Sequence, residues 1–178
     1  MTLHVLSAAS EAYPLIKTGG LADVVGALPG ALAVHDVAVT TLLPGYPSVL
    51  AKLGKGKLAH SYADLLGVPA RLMRHSFEGL DLLILEAPAF FDRGGGPYTD
   101  ADGRDWPDNG LRFAALGKAA AVALQEAAAS GVEEEHVEDG GGGQGGGSSG
   151  GGGGAVAQEL AALRAAKADA DTRVAELS

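Results

Sequence analysis

The sequence predicts an α/β domain built on a parallel sheet. Three observations carry this expectation. Residues 3–9 and 37–43 are short apolar runs bounded by turn residues, as buried strands are. Helical spacing follows the first of them, with Leu21, Val24, Val25 and Leu28 on one face. A second helical run, LRFAALGKAAAVALQEAAA at residues 111–129, follows strand candidates at residues 71–75 and 82–85. Strands that alternate with helices pair through parallel crossovers.

The elements are justified in chain order. The first strand is followed by a loop over residues 10–20, and a helix starts near Leu21 with Asp23 in its first turn, where a negative charge suits the helix dipole. Pro29 interrupts the pattern, because a proline inside a helix costs about 3 kcal/mol. The expectation there is a kink, or a second short helix that carries Pro29 in its first turn and runs to about Val34. LPGYP closes the second strand as a strong turn signal. Residues 77–81 form the turn between the next two strands, and the polar stretch DRGGGPYTDADGRDWPDN at residues 92–109 is a long loop before the helix at 111–129. That helix has high propensity throughout and is weakened at Gly117.

Beyond residue 129 the character changes. GVEEEHVED is an acidic run, and residues 140–154 hold 12 glycines, which reads as a linker over 130–154 that cannot bury a core. Residues 155–178 are an alanine-rich helix by propensity. Its positions Val156, Leu160, Leu163, Lys167, Ala170, Val174 and Leu177 form a weak heptad seam, and weak self-association through this segment is one expectation, a marginal exposed helix the other. The domain proper is therefore expected over residues 1–129.

The 178-residue chain has a net charge of −9. Residues 1–128 carry 10 basic and 13 acidic side chains, and residues 129–178 carry 3 and 9. That balance disfavours nucleic acid and anionic membrane surfaces as partners, since both reward a basic face. The chain has no cysteine, which removes disulfide and thiolate chemistry and agrees with the reducing cytoplasm as the expected location. MTLHVLSAAS lacks the basic start of a signal peptide, and no apolar run approaches the roughly 18–20 residues that span a bilayer.

The loop YPLIKTGGLADVVGAL at residues 13–28 carries the chemistry. Ligands of open α/β sheets bind at the carboxyl ends of strands. Gly19 and Gly20 let backbone N–H groups approach a ligand closely and open onto a helix N-terminus that favours an anion, while Lys17 adds a mobile positive charge. The combination suits a phosphate or pyrophosphate. Its spacing matches neither GxGxxG nor GxxxxGK[ST], so by the residues alone a tight structural turn and an anion site both stay open. His4, His35, His60, His75 and His136 show no metal-ligand spacing, and Asp100, Asp102 and Asp105 read as solvated turn chemistry; no metal or cofactor is implied.

Three blocks in the same order resemble the bacterial glycogen synthases and plant-type starch synthases: SEAYPLIKTGGLADVVGALPGALA at residues 10–33, HDVAVTTLLPGYPSV at 35–49 and FFDRGGGPYTDADGRDWPDNGLRFAALGKAAA at 90–121. The resemblance covers roughly residues 1–125. It implies the N-terminal Rossmann-like lobe of a two-lobed GT-B fold, and transfer of glucose from ADP-glucose to the non-reducing end of an α-1,4-glucan. It implies that Lys17 lies near the donor diphosphate with Gly19 and Gly20 as close-approach backbone, and that Tyr98 belongs to the glucan acceptor side. Asp108 and Asn109 sit in the DWPDN block with Trp106. Their alternatives are capping the following helix or touching substrate. Glu11 either faces the cleft or orders the loop.

After about residue 128 the resemblance stops. The family's histidine-bearing block and second lobe, with the cationic groups for the diphosphate and a glutamate near the transferred sugar, have no match here. No catalytic residue is therefore assigned, and this chain alone is expected to have no measurable glucosyltransferase activity.

Overall fold

The structure, a computed structural model, describes residues 2–133, with side chains to residue 129. The expected linker beyond residue 133 and the expected helix at 155–178 lie outside the described residues, while residues 130–133, expected in the linker, end the last helix. In chain order the elements are β1 (Leu3–Ala8), α1 (Gly20–Ala33), β2 (Val37–Pro44), α2 (Pro47–Leu50), β3 (Lys57–Tyr62), β4 (Ala70–Phe77), β5 (Leu80–Glu86), α3 (Pro88–Phe91) and α4 (Asn109–Glu133).

The five strands form one sheet in the order β1-β2-β5-β4-β3. β1, β2 and β5 run parallel, in the registers Val5↔Val39 and Thr41↔Leu82. β4 and β3 are antiparallel, so the sheet is mixed where a parallel one was expected. The reason is the length of one connection. Only Glu78 and Gly79 separate β4 from β5, both at positive φ (47° and 82°), as a two-residue hairpin requires. A parallel link needs a dozen residues or more. β3 was absent from the sequence reading because it buries little: within KLAHSY only Tyr62 is buried.

α1 runs unbroken through Pro29, which replaces the expected second helix. α1 buries Ala22 and Val25. The core centres on β5, where Leu82, Leu83, Ile84 and Leu85 are all buried, so both faces of that strand are covered. Leu42, Leu43 and Thr41 of β2 continue the core, and Ala115, Leu116 and Ala119 of α4 pack on it.

One close approach fixes the loop after β1 against α1. A Cβ on Gly26 would run into the Tyr13 carbonyl oxygen. Gly26→Ala would gain about 1 kcal/mol of helix propensity and meet an overpacking cost of about 1–3 kcal/mol against backbone that cannot rotate away. The expected result is a net loss of about 1 kcal/mol, read as a lower chemical-denaturation midpoint.

Candidate functional site

The carboxyl ends of β1, β2 and β5 carry three loops: residues 9–19, Gly45–Tyr46 before α2, and residues 92–108 between α3 and α4. The first turns on itself through Leu15 and Ile16 N–H groups that donate to the Ala12 carbonyl. Lys52 then clamps it from outside, donating to the Pro14 and Leu15 carbonyls at 2.7 and 2.8 Å.

Beneath this loop lies Glu11, 2% exposed. Its carboxylate accepts from the Thr18 backbone N–H, from the Thr18 hydroxyl at 2.7 Å, from the Gly19 N–H at 3.4 Å and from the Tyr98 hydroxyl at 2.6 Å. Burial works to raise this carboxyl, but the bonds from Tyr98, Thr18 and Gly19 outweigh it and hold Glu11 below its ordinary range. The same contact raises the Tyr98 phenol, first through burial and then because its proton is shared with Glu11. Tyr98 also meets the Ser10 hydroxyl at 2.7 Å.

Lys17 sits at the surface beside this network and pairs with both Asp23 oxygens at 2.7 Å. Asp23 stands in the first turn of α1, so the pair fixes the ammonium over the helix start. Gly19 is the extended residue before the helix (φ −147°, ψ −160°), and no side chain caps the helix there. The amides at the start of α1 therefore lack a protein cap on the side that Lys17 occupies.

The long loop is held from the opposite side. Arg93 forms a two-pronged pair with Asp108 at 2.9 Å for each prong and lies over the Trp106 ring at 4.8 Å. The bonds from Arg93 hold Asp108 below its ordinary range against the effect of burial. The Asp108 carboxylate thus faces Arg93, while its backbone carbonyl accepts the Arg112 N–H that begins α4. Asn109 donates to the Tyr98 carbonyl at 2.8 Å and accepts from Arg112 at 2.7 Å. Arg112 itself is fully buried, and its other bonds go to the Phe90 and Pro97 carbonyls at 2.8 and 3.0 Å. Between these parts opens a cavity of about 470 Å³ whose walls include Ile16, Tyr46, Phe91, Arg93, Gly95 and Arg112.

The structure thus brings Glu11, Gly19 and Tyr98 into one hydrogen-bonded unit, joined through the Tyr98 carbonyl to Asn109 and on to Arg112. Lys17 and Gly20 lie on the helix-start side of the same loop, and Asp108 is paired away with Arg93. Thr18, Lys52, Arg93 and Arg112 were not singled out from sequence. Arg112 left a signal: it occupies the stripe 112, 115, 116, 119 that faces the core, where an arginine is out of place unless it is bonded.

A glycine-bearing loop at the carboxyl ends of parallel strands, opening onto an uncapped helix start beside a lysine, is the layout of a Rossmann-like lobe. A family model of the starch synthase catalytic domain matches residues 4–139. The chain belongs to that family, the glycogen and starch synthases, which are glycosyltransferases. Glycogen synthase of Novosphingobium aromaticivorans is 59% identical over 121 residues, covering 68% of this chain and 25% of that protein. A Rhodopseudomonas palustris glycogen synthase is 60% identical over 116 residues, covering 65% and 24%. The catalytic domain of starch synthase IV from Arabidopsis thaliana, bound to ADP and acarbose, superposes with a TM-score of 0.53 at 26% identity, covering 72% of this chain and 26% of that one. The chain spans about a quarter of the length of the curated relatives it matches.

Proposed function

We propose that this chain supplies the N-terminal wall of an ADP-glucose site in a glycogen synthase, the whole protein transferring glucose to the non-reducing end of an α-1,4-glucan. The observation that carries the reading is the uncapped start of α1 with Lys17 fixed beside it by Asp23. A diphosphate placed there meets backbone N–H groups of the Gly19–Gly20 turn, a favourable dipole end and an ammonium. Asp23 holds Lys17 until a more strongly charged anion competes for it. Tyr98, held by Glu11 and Ser10 through its hydroxyl and half-buried with its ring 5.9 Å from that of Phe113, is an aromatic side chain of the kind that suits the apolar face of a sugar on the glucan side. The ADP and acarbose held by the starch synthase IV catalytic domain agree with both halves of this reading. Glu11, Asp108 and Asn109 act in it by holding the two loops in place. The reading keeps the cytoplasmic location expected from sequence.

Calorimetric titration of ADP-glucose into the purified chain, beside Lys17→Ala, tests it. One charge-assisted contact is worth about 1.5–3 kcal/mol, so affinity should fall about tenfold to a hundredfold in the variant. Binding of equal strength in both proteins would remove Lys17 from the site.

A further inference from the structure

Tyr46 stands just before α2 and is 4% exposed. Its hydroxyl is buried and has no hydrogen-bond partner among the described residues. A buried polar atom without a partner is uncommon in a folded chain, because it has given up water and gained nothing in return. Burial pushes this phenol up, so it keeps its proton at neutral pH and can donate. The charge of Arg112, on the wall of the same cavity, pulls the other way.

Arg112 brings a second unmet group to that cavity. Its Nε donates to the Phe90 carbonyl, and its Nη1 donates to the Pro97 carbonyl and the Asn109 side chain. A guanidinium has five N–H donors, and those of Nη2 have no acceptor among the described residues. The carboxylates nearby are engaged elsewhere, Asp108 by Arg93 and Glu11 by Tyr98 and Thr18. Arg112 is therefore a fully buried cation with no carboxylate against it and two donors to spare. A buried charge of this kind is costly until an opposite charge meets it.

The rest of the lining agrees in sign. Gly94 and Gly95 belong to it, and their N–H groups have no acceptor among the described residues. Arg93 adds a second guanidinium, and the exposed Asp92 is the one carboxylate on the lining, so cations outnumber anions two to one. The spare groups are donors. An oxyanion only accepts and matches such a wall, whereas a neutral sugar hydroxyl must donate as well and brings no charge to Arg112. The volume of about 470 Å³ lies in the range of small-ligand sites and exceeds a bare phosphate, and Ile16 and Phe91 give the cavity an apolar side.

We propose that this cavity binds a phosphoryl group, as free phosphate or as the phosphate monoester of a small polyol, held by Nη2 of Arg112 and the Tyr46 hydroxyl. The site is separate from the one proposed for ADP-glucose, which rests on Lys17 and the start of α1. Arg112 ties the loop between α3 and α4 to α4 through the Pro97 carbonyl, so an anion on its free nitrogen steadies the loop that carries Tyr98.

Calorimetric titration of inorganic phosphate into the full chain tests it. The titration is made in Lys17→Ala, so that the start of α1 does not compete, and repeated with Tyr46→Phe added. Phenylalanine keeps the edge-on packing against Phe91 and removes only a hydroxyl that has no protein partner, so the thermal midpoint should not fall. Phosphate should bind Lys17→Ala, and bind the double variant about tenfold more weakly, as the loss of one bond to a charged acceptor implies. Tighter binding of glycerol phosphate assigns the site to an ester, and equal or weaker binding assigns it to the free ion; both outcomes support a phosphoryl site. Equal phosphate affinity in the two variants overturns the proposal, and so does an absence of binding to Lys17→Ala. Maltose that binds in a Tyr46-dependent manner where phosphate does not also overturns it, since the cavity would then take a neutral sugar. Should Tyr46→Phe fail to fold, the amide resonances of Gly94 and Gly95 in Lys17→Ala decide. They should shift on addition of phosphate, and resonances that stay in place overturn the proposal. None of these outcomes bears on the ADP-glucose reading, whose own test compares Lys17→Ala with wild type.

Discussion

Arg112→Met is expected to be the most destabilising single change in the described domain. Arg112 is fully buried, and its guanidinium donates to the Phe90 carbonyl, the Pro97 carbonyl and the Asn109 side chain. It lies over the Phe91 and Phe113 rings at 5.4 and 5.7 Å. No carboxylate is in direct contact with it among the described ion pairs; the nearby Asp108 is engaged by Arg93. Burial lowers the guanidinium from its usual range, yet it stays charged, because no protein environment brings arginine near neutral pH. Methionine keeps most of the volume and removes every donor. Two carbonyls, those of Phe90 and Pro97, would then be left in a dry interior beside the part-buried Asn109 oxygen, and this is the expensive side of hydrogen bonding, at about 1–3 kcal/mol for each orphaned group. Relief of the desolvated charge offsets part of this. A net loss of about 3 kcal/mol follows, or a fall of about 10 °C in the thermal midpoint for a domain of this size. Arg112→Lys should recover little, since a single ammonium cannot reach acceptors that the planar fork serves from two sides. A thermal midpoint within a degree or two of wild type for Arg112→Met would show that the loop between α3 and α4 is held by other means.

How much of this was legible beforehand depends on the kind of information each feature needs. β1, β2 and β5 were readable because buried strands are short apolar runs, and the start of α1 was readable from its spacing. The hairpin between β4 and β5 was readable too, and its short turn already excluded a fully parallel sheet. β3 was not, because a strand that is mostly exposed and carries a bulge has little period-2 signal. Of the two expectations at Pro29, the separate second helix did not hold, because the local proline penalty is outweighed when the helix is packed through Ala22 and Val25. At the site, Lys17 and the glycines could be named from one loop. The Glu11–Tyr98 contact could not, since it joins positions 87 residues apart, and spacing is silent on such pairs. The bonds between these positions exist only in the folded chain: a carboxylate under the loop, and a buried arginine tying that loop's neighbour to α4.

On the proposed ADP-glucose reading, Glu11→Ala is expected to abolish that binding although Lys17 and both glycines are unchanged. The carboxylate is the shared acceptor for the Thr18 N–H, the Thr18 hydroxyl, the Gly19 N–H and the Tyr98 hydroxyl. Removing it frees the Lys17–Gly20 turn from Tyr98, so an anion must then bear the entropy of ordering that turn, about 1–2 kcal/mol for each residue fixed. Over the four residues from Lys17 to Gly20 that would be about 4–8 kcal/mol were all of them released, a loss of affinity of about a thousandfold or more. Glu11→Gln separates charge from shape. Its amide oxygen can serve one side of the network, but its NH2 group then faces N–H or O–H donors on the other, so it should recover only part of the binding. The acid dependence has a definite sign. Glu11 and Asp108 are both held below their ordinary values of 4.5 and 3.8, so the stability they contribute is fully present above those values and is lost as pH falls through the lower folded values. The thermal midpoint should therefore decline on acidification below about pH 4.5, and the part due to Glu11 should be missing from the Glu11→Gln profile. An unchanged acid limb in that variant would show that the carboxylate is not what fastens the loop. Wild-type affinity in Glu11→Ala would show that the turn is ordered by Lys52 and the Gly26 contact alone.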